Sequence, residues 1–337
     1  MTKALVLGAT GHIGAHVTQA LVTDGVAVRT LCRVPERLGV LEFLDVEIML
    51  GSLDDRAILG RAMAGCEWLF DCAGYYPGFS ESKDQAIARG IAHVQTVMEM
   101  AREARLQRVV FTSSTSAIGR VTGRLATEDD YEPWPLTHAR PLYGTVKLAM
   151  EEAARAYARQ GSPVVIVNPS FCVGEYDRKP FSGKLLLMYA RRELPLYMDH
   201  QFNVVYTGDV GRGHVLAAQR GRVGERYILG GYNTTLKEFA HLVALEAGVA
   251  PPRIKIPYWM SLGVGYASEG IAKLQRRPEA RIPVEAVRAS ADGQHIDTSK
   301  ATRELGLTLT PLREAIHRAV YWFREHGYLT RRNADDR

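Results

Sequence analysis

Lys3-Ala-Leu-Val-Leu7-Gly8-Ala-Thr10-Gly11-His12-Ile13-Gly14 opens the chain, and its reading decides the fold. Lys3 to Leu7 is a short apolar run of the kind that forms a buried strand, and Ala15 to Thr23 continues with helical patterning. A strand, a glycine turn and a helix start in direct succession form a site that can hold a dinucleotide. Gly8 permits the tight turn, Gly11 lets backbone approach a pyrophosphate, and Gly14 allows the helix to pack closely. The helix N-terminus adds N–H groups and partial positive charge for phosphates. The spacing Gly-x-x-Gly-x-x-Gly is one residue different from the commoner Gly-x-Gly-x-x-Gly, and a glycine-rich turn without a ligand is the alternative.

Val26 to Leu31 reads as the second strand, and the residues after it choose between cofactors. An acidic side chain there would bond the ribose hydroxyls of NAD, whereas an arginine favours the 2′-phosphate of NADP. Here Cys32-Arg33-Val-Pro follows, with Arg37 one turn on and no carboxylate in the expected place, so NADP is expected over NAD. Further strand–helix alternation over the first ~170 residues predicts an α/β fold with a doubly wound parallel sheet, the Rossmann arrangement. From about Glu175 the pattern is irregular and punctuated by Pro180, Pro195, Pro251, Pro252, Pro257 and Pro283. We therefore expect residues 1–174 to form the dinucleotide-binding domain. Residues 175–330 would form mainly a smaller substrate lobe, interleaved with late strands and helices of the first domain. Leu236–Gly248 and Pro311–Gly327 read as further helices.

Inside Pro141-Leu-Tyr143-Gly-Thr-Val-Lys147 a tyrosine and a lysine stand four residues apart. Pro141 to about Gln160 reads as a helix: proline near the first turn, strong helix formers through the middle, Gly161-Ser-Pro as the stop. Residues four apart share one helix face. A free phenol titrates near ~10. A neighbouring ammonium would favour the phenolate and allow Tyr143 to exchange a proton with a carbonyl or alcohol oxygen. An exposed tyrosine beside an exposed lysine is the plain alternative, and the glycine motif argues against it.

The chain has 337 residues, 46 % of them hydrophobic, which suffices for one large core or two smaller ones. Its net charge of +5 comes from scattered basic residues, with no Lys/Arg block interleaved with aromatics, so no nucleic-acid partner is expected. Cys32, Cys66, Cys72 and Cys172 lack metal-ligand spacing and are too few for a disulfide framework; no metal is expected. The first strand begins almost at once, leaving no room for a signal peptide, and no apolar run approaches ~18 residues. A cytoplasmic enzyme with reduced thiols and no membrane partner is the simplest expectation. The apolar helix face around Ile91–Met100 allows a homodimer.

With Gly8-x-x-Gly11-x-x-Gly14 and Tyr143-x-x-x-Lys147 both present, the chain resembles the extended short-chain dehydrogenase/reductase family from Lys3 to about Leu312. This family includes nucleotide-sugar epimerases, dehydratases and dihydroflavonol-type reductases. Arg33-Val-Pro, Val109-Val-Phe-Thr-Ser-Ser114, Val165-Ile-Val-Asn-Pro-Ser170 and Gly224-Glu-Arg-Tyr-Ile-Leu-Gly-Gly231 are similar to the dihydroflavonol reductase-like branch and to hopanoid-associated sugar epimerases. The resemblance implies that Ser114, rather than Ser113, is the catalytic hydroxyl that polarises the substrate oxygen beside Tyr143. It implies that Lys147 also bonds the nicotinamide ribose. It places Thr10, His12, Ile13, Ser52, Leu53, Ala73, Pro169 and Ser170 against the cofactor with the glycines and Arg33. Asn168-Pro-Ser170 would pass under the carboxamide, Cys72-Ala-Gly74 under the central ribose, and Asp209 would organise the C-terminal region.

Three departures from the family pattern stand out. Ser52 replaces the aspartate that touches adenine, and Gly90 falls where an asparagine serves proton relay, with His93 one turn later. Phe202 stands where nucleotide-sugar enzymes carry the arginine that grips a diphosphate, and Arg191 and Arg192 read as exposed helix residues. A less charged carbonyl or alcohol substrate is therefore expected, against a wall drawn from Tyr75, Tyr76, Phe79, Phe171, Tyr189 and Phe202. The expected activity is NAD(P)-dependent hydride transfer between nicotinamide and that substrate. A sugar epimerase or dehydratase with retained cofactor and transient keto intermediate is the first alternative. A non-catalytic dinucleotide sensor is the second.

Overall fold

The computed structural model describes residues 2–34, 38–77, 81–131, 141–180, 182–198, 200–275, 277, 280–291 and 293–329. Its main sheet has seven strands in the spatial order β10-β6-β5-β4-β1-β2-β3, every neighbour parallel. In chain order these are β1 (Lys3–Leu7), β2 (Ala27–Cys32), β3 (Glu47–Leu50), β4 (Trp68–Asp71), β5 (Arg108–Thr112), β6 (Val164–Pro169) and β10 (Arg226–Leu229). Helices α1 (His12–Thr23), α2 (Arg56–Met63), α3 (Lys83–Glu103) and α4 (Leu142–Arg159) follow β1, β3, β4 and β5. The strand order reverses between β1 and β4, so the crevice beyond their carboxyl ends is the binding position of a doubly wound sheet.

Strand periodicity sorts the core. Alternate residues of β1 point to opposite faces: Ala4 and Val6 join Val17, Leu21 and Val215, while Leu5 and Leu7 join Val94, Val97, Val146 and Met150. The first face is covered by α1 and by α6 (Thr207–Arg220), the second by α3 and α4. Every residue of β6 is buried, as a central parallel strand requires.

The C-terminal half adds β7 (Phe171–Val173), β9 (Gln201–Tyr206) and β11 (Tyr232–Thr235) as a three-stranded sheet, and pairs β8 (Leu196–Tyr197) with β12 (Ile254–Lys255). Helices α5 (Ser182–Ala190), α7 (Leu236–Ala247), α8 (Tyr258–Leu274), α9 (Val284–Ala291) and α10 (Leu312–Glu325) complete it. Its own core gathers Leu186, Phe239, Val243, Ile316, Val320 and Phe323. Asp209 ties α6 to the segment before α10: its carboxylate accepts from the Thr310 amide at 2.6 Å and from the Thr310 hydroxyl at 2.8 Å.

Some sequence boundaries shift. Helix α1 starts at His12 rather than Ala15, because Gly11 takes an extended N-cap conformation with φ −85° and ψ 168°. Arg191 and Arg192 are not helix residues, since α5 ends at Ala190 and Arg192 turns the chain with φ +58°. Arg191 instead donates its Nε to the Tyr328 carbonyl at 2.9 Å.

Candidate active site

Strand ends build the glycine cradle. Gly8 has φ +75°, and a Cβ there would lie 2.7 Å from the Cys72 carbonyl carbon, so the turn is open only to glycine. A Cβ on Gly14 would stand 2.2 Å from the Gly8 carbonyl oxygen, which is how closely helix and turn pack. Helix α1 begins without a side-chain cap and without an acidic residue in its first turn. Its leading N–H groups thus face the crevice as an anion site. These features fit a dinucleotide pyrophosphate. The hydroxyl of Ser170, on the same wall, has no hydrogen-bond partner among the described residues.

The cleft above the cradle has a volume of about 2290 Å³. Ordinary small-ligand pockets hold roughly 300–1,000 Å³, so this one has room for a dinucleotide and a second large molecule. Gly8, Thr10, Gly11, His12, Ile13 and Gly14 line one end with Arg33, Ser52, Leu53 and Ala73. Ser114, Tyr143, Lys147, Pro169 and Ser170 line its middle, and Tyr75, Phe171 and Phe202 its walls. Arg37 and Phe79, both expected here, lie outside the described residues. Asn168 turns away from the cleft, its amide nitrogen donating to the Ser114 carbonyl at 3.0 Å and to the Glu151 carboxylate at 2.6 Å. Ser52 donates to Asp54 at 2.9 Å.

Tyr143 and Lys147 project from the first turns of α4, and Ser114 from the end of β5. The Tyr143 phenol hydrogen-bonds the side chains of Ser114 and Tyr76, and its ring stacks on Tyr76 at 5.3 Å with an 11° tilt. Ser113 is different: its hydroxyl donates to the buried Glu151 carboxylate. Lys147 is 2 % exposed, and its Nζ donates to the Thr112 carbonyl at 3.3 Å. Burial brings its pKa down to about 8, against the upward pull of the Asp71, Cys72 and Glu151 charges.

The expected lowering of the Tyr143 pKa is not what this site produces. Burial pushes the phenol well above its usual 10, Tyr76 adds to that, and the Ser114 hydrogen bond only partly opposes it. The Lys147 ammonium sits 6.0 Å from the ring centroid, too far to repay the desolvation of a phenolate. At neutral pH Tyr143 is therefore a protonated phenol on the cleft lining, the form that gives a proton when a carbonyl is reduced.

Several site residues escaped the sequence reading. Asp71 closes β4, is 2 % exposed and meets His93 at 3.0 Å. Burial raises the Asp71 pKa, but His93, with the Ala73 amide and Lys147, more than reverses it; burial lowers that of His93, and Asp71 more than reverses that. Glu151 is fully buried, paired to Arg226 at 2.9 Å, and stands four residues beyond Lys147 just as Lys147 stands beyond Tyr143. That i, i+4, i+8 series was readable. Gly90 does not face the cleft: a Cβ there would meet Met150 Cγ at 2.9 Å, so it sets the approach of α3 to α4.

Phe202 packs on Phe171 at 4.8 Å and on Phe239 at 5.3 Å, making the far wall aromatic. Two of the arginines that line the cleft have acidic partners: Arg281 pairs with Glu193 at 2.9 Å and Arg288 approaches Glu285 at 3.9 Å.

Residues 4–230 match the NAD-dependent epimerase/dehydratase family. A protein of Synechocystis sp. named as a putative dihydroflavonol 4-reductase is 34 % identical over 96 % of this chain and 95 % of its own length. Sterol demethylase protein B of Methylococcus capsulatus is 31 % identical over 96 % of this chain and 99 % of its own. The crystal structure of a nucleoside-diphosphate-sugar epimerase from Pseudomonas aeruginosa superposes with a TM-score of 0.81 at 29 % identity, covering 98 % of this chain and 99 % of that one. The chain belongs to the NAD-dependent epimerase/dehydratase family and is an NAD(P)-dependent enzyme of the extended short-chain dehydrogenase/reductase type.

Proposed function

We propose that this family member is an NADP-dependent reductase of a large, weakly charged ketone or aldehyde, or runs the reverse alcohol oxidation. The observation that carries the reading is the buried Tyr143 phenol, hydrogen-bonded to Ser114 and open to a cleft that also holds the glycine cradle. Bound nicotinamide supplies or accepts the hydride. The chain does the rest: Ser114 polarises the substrate oxygen, Tyr143 donates its phenolic proton to that oxygen, and Lys147 holds the ribose side of the cofactor. Arg33, exposed at the cleft edge beyond β2, would receive a 2′-phosphate.

The walls support an apolar substrate. Phe171 and Phe202 line the cleft, backed by the buried Phe239, and two of the lining arginines are engaged by glutamates of the chain itself. The names of the Synechocystis and Methylococcus relatives, a dihydroflavonol 4-reductase and a sterol demethylase protein, support a fused-ring substrate. The Pseudomonas neighbour keeps the sugar-epimerase alternative in view. The purified protein separates the two readings. A reductase releases its cofactor and oxidises added NADPH in the presence of an apolar ketone or aldehyde from a broad panel. Mass spectrometry that instead finds stoichiometric retained NAD, with turnover of sugar nucleotides and none of NADPH, would reject the reductase.

A further inference from the structure

One helix carries an apolar face left largely exposed among the described residues. On α8, Trp259 is 70 % exposed, Tyr266 56 %, Ile271 53 % and Leu274 86 %, with Met260 and Val264 also exposed. At 100° per residue these positions, with Gly263, Ala267 and Gly270, fall within one arc of roughly half the helix circumference. A Cβ on Gly263 or Gly270 would meet nothing within 4 Å, so the arc is open space. The opposite face is engaged: Gly265 lies against Val284, Ser268 accepts from the Ile282 amide at 3.0 Å, and Glu269 accepts from the Val284 amide at 2.9 Å.

The segment that carries this arc is cationic, although Tyr266 accepts from Arg288 of α9 at 3.3 Å and Glu285 stands beside that arginine. Arg253 and Lys255 precede the helix, Lys273 and Arg277 close it, and all four are exposed. Between positions 253 and 277 the only acidic residue is Glu269, turned inward to Val284. The face also reaches the mouth of the cleft, where Val264 and Tyr266 form part of its lining.

We propose that α8 lies in the plane of an anionic lipid bilayer, its apolar arc sunk below the headgroups and the flanking cations among the phosphates, with the cleft mouth facing the membrane. A helix of this amphipathic kind, with cations beside aromatic and aliphatic residues, binds interfaces by buried apolar area plus electrostatic attraction. A second copy of the chain is a poorer occupant. A two-fold interface sets a patch against itself, which would bring these cations face to face. No helix among the described residues is long and apolar enough to cross a membrane, so the contact is peripheral.

The test uses the full chain and vesicles of phosphatidylglycerol with phosphatidylcholine, against vesicles of phosphatidylcholine alone. Co-sedimentation is expected with the anionic vesicles and should weaken as salt is added. Trp259→Glu with Leu274→Glu, both at exposed positions, should lower vesicle affinity at least about tenfold with an unchanged melting temperature. Arg253→Glu with Lys273→Glu should remove the preference for anionic vesicles. Absent vesicle binding, or binding that the Trp259/Leu274 variant retains, overturns the proposal. So does a wild-type dimer that this variant dissociates while neither form binds vesicles, which assigns the face to a second copy. The assay needs neither cofactor nor substrate, so its result is independent of the reductase reading.

Discussion

At the scale of single residues, the site turns on which hydroxyls and cations face the cleft and in what protonation state. Ser114 bonds the Tyr143 phenol while Ser113, one residue earlier, is bound to Glu151. The family resemblance already favoured Ser114, but both serines lie beyond the end of β5, where no strand alternation tells which one faces the cleft. The protonation state was not legible: spacing shows that Tyr143 and Lys147 share a face, but burial decides the sign of the phenol shift, and burial belongs to the folded whole. Asp71 was missed for a similar reason. A carboxylate closing an apolar strand becomes meaningful only when His93 arrives from α3 at 3.0 Å. Arg33 gives the cofactor prediction at this scale. Arg33→Asp should weaken NADPH binding by tenfold or more, since a charge-assisted contact is worth about 1.5–3 kcal/mol. NADH binding should change little, and equal losses measured by titration calorimetry for both would reject the NADP assignment.

At the scale of elements, the first glycine motif specifies a strand–turn–helix so tightly that its reading needed only a boundary correction. Gly8 and Gly14 are required by contacts with backbone, which cannot move aside as a flexible side chain can. Gly14→Ala places a methyl 2.2 Å from the Gly8 carbonyl oxygen, so the turn must open. We expect a loss of about 1–3 kcal/mol in urea unfolding, typical of overpacking, together with loss of dinucleotide binding. Unchanged stability and affinity would contradict this account of the cradle. Gly90 shows the limit of reading by position: its place beside Met150 and Val146 on α4 makes it a packing residue, whatever side chain relatives carry there. Arg191 and Arg192 show another limit, because a helix end set by a left-handed turn at a non-glycine residue leaves no compositional mark.

At the scale of the whole molecule, the parallel sheet was legible over the first ~170 residues because its strands alternate with helices, whereas the edge strand β10 and the later half depend on long-range pairing. The sequence reading expected no membrane partner, having looked for spans. The segment of α8 was not singled out in the sequence, and only the fold shows Trp259 and Leu274 largely exposed. Burial also sets a property of the entire chain. His16 and His214 are buried and His12 lies at the cleft edge, and desolvation lowers the pKa values of His12, His16 and His214 to about 3, about 4 and about 4. Burial keeps His214 neutral, against the upward pull of its Nδ1 bond to the Val210 carbonyl at 2.7 Å, while its Nε2 meets the Thr112 hydroxyl at 2.9 Å. Below the unfolded value near ~6.5 the unfolded chain takes up protons that the folded one refuses, so stability falls as pH drops from there towards 4. For His214 alone the loss approaches about 3 kcal/mol at the lower end. The urea midpoint of the cofactor-free protein should fall steeply between those limits; a flat midpoint would show that these histidines are not buried neutral. The central claim is the role of Tyr143, and its most direct measurement is NADPH oxidation by wild type and Tyr143→Phe with whichever carbonyl the panel identifies. The account predicts a fall in kcat/KM of about 10²–10⁴-fold with NADPH affinity nearly unchanged; wild-type turnover by Tyr143→Phe would contradict it.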